Sequence, residues 1–296
     1  MEATLRWVLI TAIAPVAWGA NYYVTHAYLP AGTPLYGAAI RALPAGLLLL
    51  AVARRRPHGS WWWKAAVLGV LNMGGFFALV YVAAQLLPTS TASTIMAASP
   101  VAMMLIAWAL VAERPGLLPL AGAAAGIGGV CLMLLTGSAP ADIRGVLASV
   151  AALLMSSLGY ILTKRWGAGT DILASTSWQL IAGGLLLLPL AAVVEGAPPA
   201  LDGPAVLAFG YVTVVATALA FAAWFAGLRH LPAATVGLIG LLNPVTGVLL
   251  GTVVAGESLG PRQICGLVLV LGGIVLGRPV VRKRPAEVRR ADPKAA

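Results

Sequence analysis

Charge is what this chain has least of. Only 9% of its 296 residues are Asp, Glu, Lys or Arg, where a soluble domain carries about a quarter. Acidic side chains number nine and histidines three, and no carboxylate falls in the middle of an apolar run. That scarcity excludes an ordinary soluble domain. It also removes the nucleophile–base pairs and ligand clusters that an enzyme active site requires. Cysteine is almost as scarce. Cys131 and Cys265 lie in apolar glycine-rich segments without metal-ligand spacing, and read as small buried hydrophobes. No enzyme, no cofactor and no metal site is expected.

What the chain does have is hydrocarbon. Hydrophobic residues make up 60% of it and mean hydropathy is +0.93. Turn and charge signals divide it into ten apolar stretches, near 5–27, 33–53, 62–86, 89–112, 116–136, 144–163, 172–194, 204–229, 233–256 and 260–277. Each is about long enough to cross ~30 Å of hydrocarbon as a helix. Alternating these spans across a membrane puts sixteen of the nineteen Lys and Arg on one side, Arg144 and Arg262 on the other, and Arg41 inside a span. Such a bias places both termini in the cytoplasm. The net charge of +10 is then a matter of topology, so no nucleic-acid partner is implied. The expected location is the cell membrane, multi-pass, as in a bacterial inner membrane.

The chain also repeats itself. Pro88, Thr91, Pro100, Glu113, Gly116, Gly122 and Gly129 recur as Pro232, Thr235, Pro244, Glu257, Gly260, Gly266 and Gly273, each 144 positions later. Two halves of five spans each, an odd number, enter the membrane in opposite senses. The fold class is therefore all-α, with ten transmembrane helices as two inverted five-helix repeats, residues 1–137 and 138–278, and a basic, disordered cytoplasmic tail at 279–296. Inverted repeats let one fold form two related states, which favours a transporter over a pore.

The first span reads AWGANYYVTH, followed by Arg41. Later come PTSTASTIMAASPV and ERPGLLPLAGAAAGIGGV, and in the second half PAATVGLIGLLNPV and GESLGPRQICGLVLVLGGIVLG. In order and spacing these resemble the EamA-type members of the drug/metabolite transporter superfamily, and within it the YddG-type amino-acid exporters. The resemblance implies a central cavity lined by spans one to four and six to nine, with spans five and ten peripheral. It implies export of small metabolites, with amino acids, aromatic and other neutral ones, as substrate. Exporters of drugs or lipophilic cations and a facilitative channel are the alternatives, although the cavity offers a cation rather than a membrane-embedded acid.

Several residues could carry that transport. Arg41 lies eight residues into its span, about 12 Å from its outer end at 1.5 Å per residue. A charge near the middle of a membrane helix costs about 2.5–3.5 kcal/mol on insertion scales, so it faces a cavity or a partner. A carboxylate substrate, a chloride ion or backbone carbonyls can each serve it. Trp18, Asn21, Tyr22 and Thr25 share one helical face, with Trp18 near the depth of Arg41. In the third span Asn72 and Phe76 form one pair and Phe77 and Tyr81 another. Tyr160, Trp178, Gln179, Thr217 and Trp224 supply comparable groups in the second half. The second and seventh spans align at an offset of 138, which sets Gln179 in the place of Arg41. Pro100 and Pro244 should break the fourth and ninth spans, with Ser99 and Asn243 before them able to serve the freed backbone. Together with Gly240 and Gly247 they are the expected hinges. Glu113 reads as a cap for the helix that follows it, and Trp61, Trp62 and Trp63 as an interfacial belt. Gly122/Gly126 and Gly273/Gly277 permit close crossing, within a monomer or in a weak homodimer. Membrane lipid is the only other partner expected.

Overall fold

The computed structural model describes residues 2–28, 32–87, 92, 95–134, 142–255 and 260–277. Among these residues every regular element is helical. We number the rods α1 (Glu2–Tyr28), α2 (Pro34–Ala53), α4 (Ser99–Val111), α5 (Leu117–Leu134), α6 (Ile143–Trp166), α7 (Ile172–Val194) and α10 (Pro261–Leu276). Rod α3 joins Trp61–Gly69 to Gly75–Leu86 through a π-helical turn, Val70–Gly74. Rod α8 joins Gly203–Thr213 to Ala220–His230 in the same way, through Val214–Leu219. Rod α9 is Ala233–Gly240 and Leu242–Ala255, separated by a turn at Leu241. Seven of the described helical stretches are long and apolar enough to cross a membrane. Ser99–Val111 and Pro261–Leu276 are apolar but shorter.

The breaks follow from the prolines, displaced by a few residues. Residues 97 and 98 form a turn and α4 starts afresh at Ser99, which places Pro100 in its first turn. There the missing N–H has no intrahelical partner to lose. Pro244 stands likewise in the first turn after Leu241. Three further prolines, Pro15, Pro44 and Pro189, lie inside α1, α2 and α7.

Two antiparallel crossings organise the bundle, and each repeats its own contacts under the internal duplication. Where α2 crosses α7, a Cβ on Gly46 would stand 2.7 Å from Ile181 Cγ1, and one on Gly184 would stand 2.5 Å from Leu43 Cγ. The offset of 138 turns the first contact into the second. Where α5 crosses α10, a Cβ on Gly129 would reach within 2.5 Å of the Gly266 carbonyl, and Gly122 meets the Gly273 carbonyl equally tightly. The offset of 144 relates these. The glycines of α5 and α10 are thus used inside one chain. The main core lies between α1, α8 and the first segment of α9, with Ala14, Ala17, Ala216, Phe221, Trp224, Phe225, Val236 and Ile239 all buried.

Three expectations need correction. Trp61 is buried against Trp178, with ring centroids 5.3 Å apart, so only Trp62 and Trp63 are exposed. Cys265 is exposed on α10 and Cys131 half-buried, in place of two buried thiols. Glu113 caps a helix from the other half: its carboxylate accepts the Ala233 N–H at 2.7 Å and pairs with Lys164. The expected tail, Glu257 and the side chains of Tyr22 and Thr25 lie outside the described residues.

The crossing of α5 with α10 gives a sharp contrast between adjacent glycines. Gly128 has nothing within 4 Å of its missing Cβ, while Gly129 meets backbone. Thermal unfolding in detergent should find Gly128→Ala neutral and Gly129→Ala destabilised by about 1–3 kcal/mol, the usual cost of overpacking.

Candidate functional site

Arg41 is held in position from the end of its helix. The Glu195 carboxylate, at the end of α7, accepts the N–H groups of Leu35 at 2.7 Å and Tyr36 at 2.9 Å. The Tyr36 hydroxyl donates to the Gly196 carbonyl at 2.7 Å. A carboxylate on the free N–H groups of a first turn satisfies orphan donors and complements the helix dipole. The start of α2 is thereby pinned to α7, and Arg41 follows two turns on.

From there Arg41 reaches the π-turn of α8. Its Nε donates to Thr217 Oγ1 at 2.8 Å and its Nη2 to the Ala216 carbonyl at 3.1 Å. The Phe77 ring lies under the guanidinium at 5.4 Å. A π-turn pairs residues i and i+5, so backbone groups on its surface are open to outside partners. The Thr217 hydroxyl itself donates to the Val212 carbonyl at 2.7 Å. Trp18 arrives at the same point from α1, its indole N–H donating to the Ala216 carbonyl at 3.0 Å. Trp18 and Arg41 therefore share one acceptor. Among the described residues no carboxylate pairs with Arg41.

Aromatic rings extend this node into the core. Trp18 packs on Phe221 at 5.1 Å and on Trp224 at 5.4 Å, and Trp224 in turn meets Tyr160 at 5.6 Å. Gly240 lies against the Trp224 ring, where a Cβ would stand 3.2 Å away, and Gly247 faces open space. At Gly19 the chain of α1 comes close to the Asn243 carbonyl. Among the described residues the buried polar atoms without a hydrogen-bond partner are Trp224 Nε1 in this node, and Asn21 Oδ1, Asn72 Oδ1, Ser157 Oγ and Asn243 Oδ1. Ser99 is half-buried at the start of α4.

A second polar cluster lies apart from the first. Asn72, in the π-turn of α3, donates from Nδ2 to Gln179 Oε1 at 2.7 Å and to Thr163 Oγ1 at 3.2 Å. Gln179 donates in turn to the Ser175 carbonyl at 3.1 Å. All three side chains are buried, and Asn72 Oδ1 packs against Gly159. Asn72 and Gln179, read from the sequence as cavity-lining, here tie α3, α6 and α7 together. A π-turn at Val70–Gly74 interrupts the regular helix on which the pairing of Asn72 with Phe76 rests. It is Phe77 that meets Arg41, while Phe76 stacks on Phe77 and Tyr81 packs against the start of α2. Trp178 belongs to neither cluster. Its indole donates to the Arg55 carbonyl at 2.9 Å, and it packs on Trp61 where α2 ends and α7 begins.

The model of the EamA-like transporter family matches this chain twice, over residues 5–135 and 143–277. The chain belongs to that family and is a membrane transporter, multi-pass in the inner membrane. It is 33% identical to protein PecM of Dickeya dadantii over 94% of this chain and 96% of that one. It is 27% identical to YedA of Escherichia coli K12, described as an uncharacterized inner membrane transporter, over 88% of this chain and 87% of that one. A solved crystal structure superposes with a TM-score of 0.79 at 22% identity, covering 92% of this chain and 96% of the other, and supports the fold.

The buried amides carry a stability prediction. Asn72→Leu should cost about 1–2 kcal/mol in detergent unfolding, above the ~0.6 kcal/mol average for hydrogen bonds between membrane helices, because it removes two at once, to Gln179 and to Thr163. Adding Gln179→Leu should then cost less than the same change in the wild type, because Gln179 has already lost Asn72.

Proposed function

We propose that this chain exports small metabolites, namely amino acids, aromatic and other neutral ones among them, by alternating access in a ten-span inverted repeat with both termini in the cytoplasm. The observation that carries the substrate reading is Arg41, a guanidinium deep in α2 that no carboxylate neutralises among the described residues. Arg carries five N–H donors, and two of its nitrogens are engaged, by a hydroxyl and a carbonyl. A substrate carboxylate satisfies the charge by a charge-assisted pair, stronger than either neutral partner. The unpartnered Trp224 N–H is a second donor for an acid. The unpartnered oxygens of Asn21 and Asn243 are acceptors for an ammonium group. The rings of Trp18, Phe77, Tyr160 and Trp224 suit a variable apolar side chain.

The double family match supports the two halves, residues 1–137 and 138–278, and so do the crossings that repeat their contacts under the duplication. The breaks after Gly240 and before Ser99, each followed by a proline, provide the bending points for opening the two faces in turn. The direction of transport rests on the resemblance to the YddG-type exporters.

Counterflow in proteoliposomes, with a labelled amino acid trapped against a panel of unlabelled competitors, tests this reading. Saturable exchange of neutral amino acids is expected, and Arg41→Ala should lower it at least tenfold, about 1.4 kcal/mol, with the protein still folded. Exchange of a lipophilic cation and of no amino acid would overturn it, as would wild-type exchange by Arg41→Ala.

A further inference from the structure

The two π-turns correspond. Val70–Gly74 in α3 and Val214–Leu219 in α8 begin 144 positions apart, the offset of the duplication. Asn72 therefore takes the place of Ala216. Gln179 takes the place of Arg41 at the offset of 138. The hydrogen bond from Asn72 to Gln179 and that from Arg41 to Ala216 are thus equivalent joints between the two halves. Each fastens a π-turn of one half to the second helix of the other.

The joints differ in what they need. The joint at Asn72 is neutral and closed. Asn72 Nδ2, Thr163 Oγ1 and Gln179 Oε1, from three helices, bond to one another and all are buried, while Asn72 Oδ1 packs on Gly159 without a partner. Opening it would leave Gln179 Oε1 with Thr163 but strand the Asn72 amide N–H groups in a medium that offers no replacement. The joint at Arg41 holds a cation on dipoles alone. Its partners can be released without being stranded, because the Ala216 carbonyl keeps the Trp18 indole and the Thr217 hydroxyl keeps the Val212 carbonyl.

Resting on the carboxylate reading above, we propose that Arg41 exchanges Ala216 and Thr217 for the carboxylate of its substrate. Binding then releases α2 from the π-turn of α8, while Asn72, Thr163 and Gln179 remain the fixed pivot. Arg41 in this way both selects an acid and reports its arrival to the helix that must move. A ligand shifts a conformational equilibrium only through its different affinity for the two states, and the freed contact supplies that difference.

One substitution separates this latch from a merely structural bond. Thr217→Val keeps the shape and removes one competitor for Arg41. Half-saturation in counterflow should therefore fall, by roughly three- to tenfold, tenfold being about 1.4 kcal/mol. A structural contact would leave it unchanged or raise it, and either result overturns the latch. Hydrogen exchange of the full chain in lipid nanodiscs gives a second reading that needs no variant. An equimolar mixture of L-leucine, L-phenylalanine and L-threonine should speed exchange over residues 214–219 and leave 70–74 unaltered. The same three as C-terminal amides should do neither. Equal effects on both turns, or equal effects of acids and amides, would overturn the proposal. Counterflow of the same three acids in the same preparation tells the two failures apart. Transport with unchanged exchange at 214–219 sinks the latch alone, whereas absence of transport of all three sinks the substrate reading and the latch with it.

Discussion

Hydrocarbon offers no hydrogen bonds, and this one constraint governs the structure. Within a membrane each backbone N–H and C=O must find a partner in the protein, which is why spanning segments are helices. Every departure from a regular helix then creates a demand that some side chain must meet. Among the described residues the rods depart from regularity at two π-turns and two breaks. The π-turns are where two clusters of polar side chains meet: Arg41 and Trp18 on the carbonyl at Ala216, and Gln179 and Thr163 on the side chain of Asn72.

The same constraint explains the use of glycine. Lipid is as apolar as leucine, so burial alone does little to hold two apolar helices together, and close packing must do more. At the crossings of α2 with α7 and α5 with α10 the glycines leave no space for a Cβ. Because the contacts recur under the duplication, each crossing lies on the relation between the halves. A contact that worked once was obtained twice, in the manner of a symmetric dimer interface folded into a single chain.

Much of this was legible in the sequence because it depends on local composition. Apolar length, the bias of Lys and Arg and the 144-residue recurrence gave the helices and the halves, and a lone Arg41 marked the polar node. Residues that act across long chain separations were less visible. Glu195 caps a helix 160 positions earlier, and nothing in its neighbourhood announces this. Glu113 was read as a cap for the adjacent helix and serves Ala233. The misreading of Glu113 and the silence on Glu195 have one cause, since a carboxylate at a helix end can serve any first turn that folds beside it. The π-turns were invisible because a wheel of 3.6 residues assumes the regular helix they interrupt. That is why neither the place of Phe77 beside Arg41 nor that of Asn72 beside Gln179 could be read from a helical wheel.

The asymmetry between Arg41 and Gln179 has a physical logic within a duplicated fold. Arginine at both positions would double a desolvation cost of about 2.5–3.5 kcal/mol per charge and place two unneutralised cations in one bundle. Glutamine at both would leave two closed neutral joints, and no group whose demand a ligand could meet better than the protein does. A transporter must bind its substrate without holding either state too firmly. On the proposal above, one joint that stays made in both states and one that opens to substrate meet that requirement. The duplicated scaffold supplies two equivalent positions, and the difference between amide and guanidinium would make one of them a pivot and the other a site.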